Sequence, residues 1–299
     1  VAPLEGPGAL WHSRDVAPAT VFSIFIFVFG LIIGSFLNVC IVRIPNGKSI
    51  VLPASACPKC GAAIKPYDNI PLISYLLLMG KCRSCKTRIS PLYPFVELLT
   101  AVTFVGCFWA FGLNVEMLKW CIFSALLIVL VFTDFVDRIL PDVITLGGAG
   151  IGLVLSLFTW PLDGTSWWIA RLLFHLQHVP SLRLISLFDS LLGAAAGGGL
   201  LLLVMEVYFR LRHREGMGLG DVKMMLMAGA FLGIKRTMLT IFAGSLLGSI
   251  LGLAFILARG KKSDYELPFG SFLGMAAMLV VFFGTPVVNW YQAILMLRW

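Results

Sequence analysis

Charged residues are scarce in this 299-residue chain, at 13% against 59% hydrophobic. A soluble globule could not hide so much apolar surface, so the balance excludes that class and points to a membrane protein. Histidine is scarcer still. His12, His175, His178 and His213 form no metal-ligand spacing with an acid, and neither an H-E-x-x-H nor a G-x-S-x-G run occurs, which leaves metal-dependent and serine proteolysis without support. Internal repeats are not evident, and the apolar run of full spanning length that follows Arg14 and Asp15 has no small-residue cleavage site after it. That segment reads as a retained anchor.

The apolar residues gather in stretches long enough to cross a hydrocarbon layer of roughly 30 Å. Windows of about 19 residues place spans near 20–42, 92–112, 116–134, 141–160, 184–209, 222–235, 237–258 and 270–297, the sixth being short. The expected fold is an all-α polytopic membrane protein of about eight transmembrane helices. Its expected parts are an N-terminal segment with the first span (1–42), a polar insertion (43–91) and a transmembrane catalytic region (92–299). Most of the 23 Lys and Arg fall in 43–91, 135–140, 210–221 and 259–269, so these loops are expected on the cytoplasmic side. The net charge of +8 is thus a topology signal, and its spread over short loops argues against nucleic-acid binding. Gly193 and Gly197, and Gly244, Gly248 and Gly252, lie on helical faces suited to close packing in lipid. Trp167, Trp168, Leu173 and Phe174 in the 161–183 stretch suit an interfacial anchor.

The 43–91 insertion is too small to bury much core. It carries two C-x-x-C hooks, Cys57 with Cys60 and Cys82 with Cys85, separated by 21 residues. Four thiolates so arranged suit a tetrahedral structural zinc, and Gly61 and Lys86, just after the hooks, suit its tight turns. Cys40, Cys107 and Cys121 sit inside spans and read as small buried hydrophobes.

Carboxylates near spans default to functional readings. Asp221 ends Gly218-Leu219-Gly220-Asp221, and Asp134 and Asp137 share a helical face at the end of the third span, so either could partner Asp221. Two aspartates at one membrane face suggest an aspartic protease dyad that shares one proton, and Gly218 and Gly220 would let the backbone bring Asp221 close to a substrate strand. Asp142, after Pro141, reads as an N-cap. Glu97 and Glu206 could snorkel or pair with a basic residue such as Arg210, whereas Asp189 and Glu116 fall near the opposite face.

Ordered motifs then accumulate. They are Gly34-Ser35-Phe36-Leu37-Asn38-Val39 with Arg43 and Pro45, the two hooks flanking Asn69-Ile70-Pro71-Leu72-Ile73-Ser74-Tyr75, and Tyr93-Pro94 with Val96-Glu97-Leu98-Leu99-Thr100. Next come Asp134 spaced eight residues before Asp142, Gly218 through Lys223, and Leu267-Pro268-Phe269-Gly270. The chain resembles the bacterial type IV prepilin peptidases, or leader peptidase/N-methyltransferases, membrane aspartic proteases of the GxGD type. The resemblance implies cleavage of prepilin or pseudopilin leaders at the cytoplasmic face of the bacterial inner membrane, then methylation of the new amino terminus with S-adenosylmethionine. It implies Asp134, and not Asp137, as the partner of Asp221 in the catalytic pair, with Gly218, Gly220 and Lys223 in the supporting loop, and a cytoplasmic tetracysteine domain over 43–91 of the form associated with bifunctional members. Leu92 stands where relatives commonly carry arginine, and no residue is assigned to the methyl donor. Because the facing loops are basic, the cationic leader is expected to be held by acids, with Glu97, Glu206 and Asp137 as candidates. A presenilin-like intramembrane protease and a proton-coupled transporter are the alternatives, and these would place the acids deeper in the bilayer or at its midplane.

Overall fold

In lipid every backbone polar group must find its partner inside the chain, so apolar stretches of this length can only become helices. The computed structural model describes residues 16–160, 169, 171–172, 181–214, 217–259 and 268–296. Among the described residues eight α-helices are delimited: α1 (Val16–Arg43), α2 (Ile73–Leu77), α3 (Leu92–Phe111), α4 (Val115–Asp137), α5 (Asp142–Ser156), α6 (Leu182–Arg212), α7 (Leu219–Arg259) and α8 (Phe269–Met296). Among the described residues there is no strand, only two isolated bridges. Six helices among the described residues are long and apolar enough to cross a membrane, and α5 is a shorter apolar helix. The chain is a multi-pass membrane protein. The sixth and seventh expected spans are two limbs of α7, interrupted at Gly233, whose φ of 72° and ψ of 174° are not helical. Trp167, Trp168, Leu173 and Phe174 lie outside the described residues, as does the start of the expected anchor.

The chain divides into two compact units, Val1–Val129 and Leu130–Trp299, with the boundary inside α4. In the first unit α1 packs on α3. The approach is close because a Cβ at Gly34 would come within 2.6 Å of the Glu97 backbone, and one at Gly30 within 2.6 Å of that of Ala101. Small residues one turn apart let two membrane helices meet in this way. Asn38 Nδ2 donates to the Tyr93 carbonyl at 2.9 Å, fixing the register of the pair where the insertion begins and ends.

In the second unit α7 packs against α5, α6 and α8. Met224, Met225, Met227, Phe231 and Leu232 on its first limb are fully buried. Gly193 on α6 and Gly229 on α7 face each other so closely that a Cβ on either would collide with the other's backbone oxygen. The break at Gly233 frees the amide of Ile234, and the buried Asp189 carboxylate accepts it at 3.2 Å. Asp189 therefore caps the second limb and takes no part in the site formed by the other acids of this unit.

Candidate active site and metal centre

Three helix ends build the acidic site of the second unit. α4 terminates where Arg138 turns left-handed at a φ of 55° and its amide closes on the Asp134 carbonyl at 3.0 Å, a common helix stop. Asp134 is buried one turn before that stop, whereas Asp137 is exposed. α7 begins as the Asp221 amide donates to the Gly218 carbonyl at 3.2 Å, which holds the buried Asp221 carboxyl in the first turn. α8 begins at Phe269. A Cβ added at Gly270 would lie 2.7 Å from Asp221 Oδ1 and 3.1 Å from Asp134 Oδ2. The two carboxyl groups thus converge on one side of Gly270, where any added side chain would push them from their positions. Of Asp134 and Asp137, it is Asp134 that lies beside Asp221.

Ser271 completes the site. Its amide donates to Asp134 Oδ2 at 2.6 Å and its hydroxyl donates to the same oxygen at 2.7 Å. The positive ends of α7 and α8 both face carboxyl groups, an arrangement that favours negative charge there. Sequence reasoning reached Gly270 but stopped one residue short of Ser271. A serine in the first turn after Pro268 was the available signal, because such hydroxyls and amides seek an acceptor at helix starts. A pair of carboxylates with donors on one of them can divide the roles of proton acceptor and proton donor.

The insertion of the first unit carries the second centre. The amides of Gly61 and Lys86 donate to the carbonyls of Cys57 and Cys82 at 2.9 and 3.0 Å, and the amides of Cys57 and Cys82 donate to Ala62 and Thr87. Each hook is thus the same tight turn, and Gly61 and Lys86 both adopt the left-handed conformation it needs, at φ 69° and 57°. The four sulfurs lie within 4.8 Å of one another, with Cys57 Sγ and Cys85 Sγ 3.9 Å apart. Zn–S bonds of about 2.3 Å in a tetrahedron require sulfurs roughly 3.8 Å apart, so the cluster fits such an ion. The amides of Cys60 and Lys59 point at the Cys57 sulfur and bring its pKa down to about 6, favouring the thiolate that metals bind.

Residues 28–111 match the Bacterial Peptidase A24 N-terminal domain, and residues 121–253 match the Type IV leader peptidase family. A protein of Pseudomonas aeruginosa named prepilin leader peptidase/N-methyltransferase is 34% identical over 285 residues, covering 88% of this chain and 90% of its own length. The chain belongs to the type IV leader peptidase family. Proteins of the same name from Neisseria gonorrhoeae, 34% identical with 88% and 92% covered, and Myxococcus xanthus, 35% identical with 81% and 65% covered, are further members. No solved structure matches.

Within this family member, other expectations are revised by geometry. Asp142 is not an N-cap: α5 starts after Pro141 with no side-chain cap. Instead both Asp142 oxygens accept from Lys223 Nζ at 2.8 Å, tying α5 to the first turns of α7. Glu97 neither snorkels nor pairs with a base, for its carboxylate is buried and accepts the Leu72 amide at 2.9 Å. Glu206 does pair with Arg210, at 2.6 Å. Gly220 would meet Leu140 at 3.0 Å were it larger, while a Cβ at Gly218 would make only ordinary contact, 4.0 Å from Asp221 Oδ2.

Proposed function

We propose that the chain is a membrane aspartic endopeptidase that removes the leader of type IV prepilins or pseudopilins and then N-methylates the new amino terminus, with Asp134 and Asp221 as the catalytic pair. The observation that carries the reading is the convergence of those two buried carboxyls beside Gly270, in a chain of the leader peptidase family. Asp134, which accepts two hydrogen bonds from Ser271, is suited to remain ionised and take the proton of the attacking water. Asp221 then carries the shared proton and donates it toward the scissile carbonyl oxygen. As the tetrahedral intermediate collapses, the proton held by Asp134 passes to the leaving amine and a hydroxyl proton of the intermediate returns to Asp221, which restores the shared proton.

Asp134 lies one turn from the end of α4 and Asp221 in the first turn of α7. Sites at helix ends suit hydrolysis at a membrane boundary, where water and an extended substrate can enter, more than the midplane site of a transporter or a deeper intramembrane protease. The basic residues of the adjoining loops support an inner-membrane protein with these ends toward the cytoplasm. Zinc held by Cys57, Cys60, Cys82 and Cys85 supplies structure to the 43–91 insertion, which is taken as a domain of its own. S-adenosylmethionine would supply the methyl group for the N-methylation that the relatives' names carry. The test is incubation of the detergent-solubilised protein with a purified prepilin, followed by the product mass. Loss of the leader with wild type and none with Asp134→Asn or Asp221→Asn is expected; full processing by either variant overturns the assignment.

A further inference from the structure

The first unit contains a cavity of about 530 Å³ between the insertion and the adjoining ends of α1 and α3, a size suited to a cofactor-sized ligand. Asn38, Tyr75, Arg88, Tyr93 and Glu97 are among the side chains lining it. Glu97 is 8% exposed, and the contacts of its carboxylate are the Leu72 amide and Ser35, with no cation among them. The Leu72 turn is itself unusual. Its φ of 59° and ψ of −49°, with the Ile73 amide donating to the Pro71 carbonyl at 2.6 Å, make a γ-turn of the hand that bulky residues seldom adopt. Such strain persists only where the surroundings impose it, and it gathers at ligand sites.

The cations around the cavity are unequal. Arg43 donates to the carbonyls of Ser49 and Pro53, and Arg83 is locked to Asp68. Lys65, also on the lining, sits over the Tyr67 ring at 5.6 Å from its centroid, and neither it nor Arg88 forms an ion pair among the described residues. Of the two, only the guanidinium has the planar fork that matches a carboxylate. The cavity thus presents a buried carboxylate, an arginine not committed to an acid and two tyrosine rings.

We propose that this cavity is the S-adenosylmethionine site, with Glu97 as the counter-charge of the sulfonium and Arg88 as the partner of the ligand's carboxylate. The inference rests on the methyltransferase reading above. In the transfer, the amine lone pair forms the new N–CH3 bond as the S–CH3 bond breaks. That electron pair stays on sulfur as a neutral thioether, and the proton shed by the amine passes to water. Because the positive charge disappears from sulfur, a buried carboxylate holds the donor more tightly than its product.

The test is calorimetric binding to the full-length, zinc-loaded protein in detergent, with S-adenosylmethionine and S-adenosylhomocysteine as the two probes. Wild type is expected to bind the sulfonium about tenfold more tightly than the thioether, the scale of one charge-assisted contact. Glu97→Gln should bind both equally, and Arg88→Met should weaken both by the same factor, with zinc content unchanged in each. Should Glu97→Gln lose its zinc, Ala63→Trp, at an exposed position lining the cavity, decides the matter by abolishing binding of both probes. A Glu97→Gln protein that keeps the tenfold preference, or an Ala63→Trp protein that binds as wild type, overturns the site. If either occurs while wild type still methylates a cleaved pilin, the methyltransferase reading stands and only this location fails. A wild type that neither methylates nor binds either probe overturns both.

Discussion

The two centres are assembled in opposite ways. The tetracysteine cluster draws its ligands from 57–85, two copies of one local turn whose backbone hydrogen bonds span only a few residues. The acidic site draws Asp134, Asp221 and Ser271 from three helices, with the Ser271 to Asp134 contacts bridging 137 positions. A metal-type site can therefore be specified within a small segment that lacks a core of its own. The aspartates instead depend on helix packing, on Gly193 against Gly229 and on Gly270, to hold their geometry. Damage to the first should stay local, and damage to the second should appear as lost chemistry.

The largest expected effect is on the carboxyls. Asp134→Asn or Asp221→Asn should lower prepilin cleavage by about 10³-fold or more, with zinc content unchanged, whereas Asp137→Asn should retain substantial activity; product masses from timed digests measure both. Comparable damage is expected to the other region from any one of Cys57, Cys60, Cys82 or Cys85 changed to serine. A structural zinc contributes on the order of 10 kcal/mol in small domains, so elemental analysis should show metal loss and limited proteolysis should cut within 43–91. If these variants keep a full zinc per chain, the local character of that centre is wrong.

Gly270→Ala comes next, because its Cβ would crowd both carboxyls. A loss in kcat of about 10²-fold is expected, with Ser271→Ala costing about tenfold, the scale of a hydrogen bond to a charged group. An unchanged kcat in Ser271→Ala would remove Ser271 from the site. Lys223→Met should be milder. The Lys223 to Asp142 pair is partly exposed, at 33% and 58%, so about 1 kcal/mol or less is expected, read as a small drop in thermal midpoint.

The smallest effect concerns the insertion's Asp68. Hydrogen bonds from Arg83 hold its carboxyl below the usual aspartate range. A lowered folded-state pKa stabilises above the ordinary aspartate value and is lost as pH falls through the folded value. Acid unfolding of 43–91 should therefore begin at a slightly higher pH in Asp68→Asn, where that contribution is already missing, as followed by proteolysis across a pH series.

Some residues were legible in the sequence because their role is local. Apolar runs had to become helices, since lipid offers the backbone no partner, and the hooks followed from their own spacing. Gly61 and Lys86 were readable as turn residues for the same reason. Even the break in α7 was foreshadowed, by two expected spans meeting near Gly233. Other assignments failed where a side chain's partner is remote. Asp142 after Pro141 has the local signature of a cap, yet Lys223, 81 positions away, takes its carboxylate.

By itself, then, the sequence determined the helices, the tetracysteine turns and the two candidate aspartates, because hydropathy and short spacings act over a few residues. The resemblance already implied Asp134 rather than Asp137, and the fold brings it to Asp221; only the tertiary structure decided that Ser271 donates to Asp134 and that Glu97 is buried against Leu72. Those outcomes depend on which helix faces turn toward each other, and a buried polar group takes whichever partner packing delivers, since leaving it without one is costly.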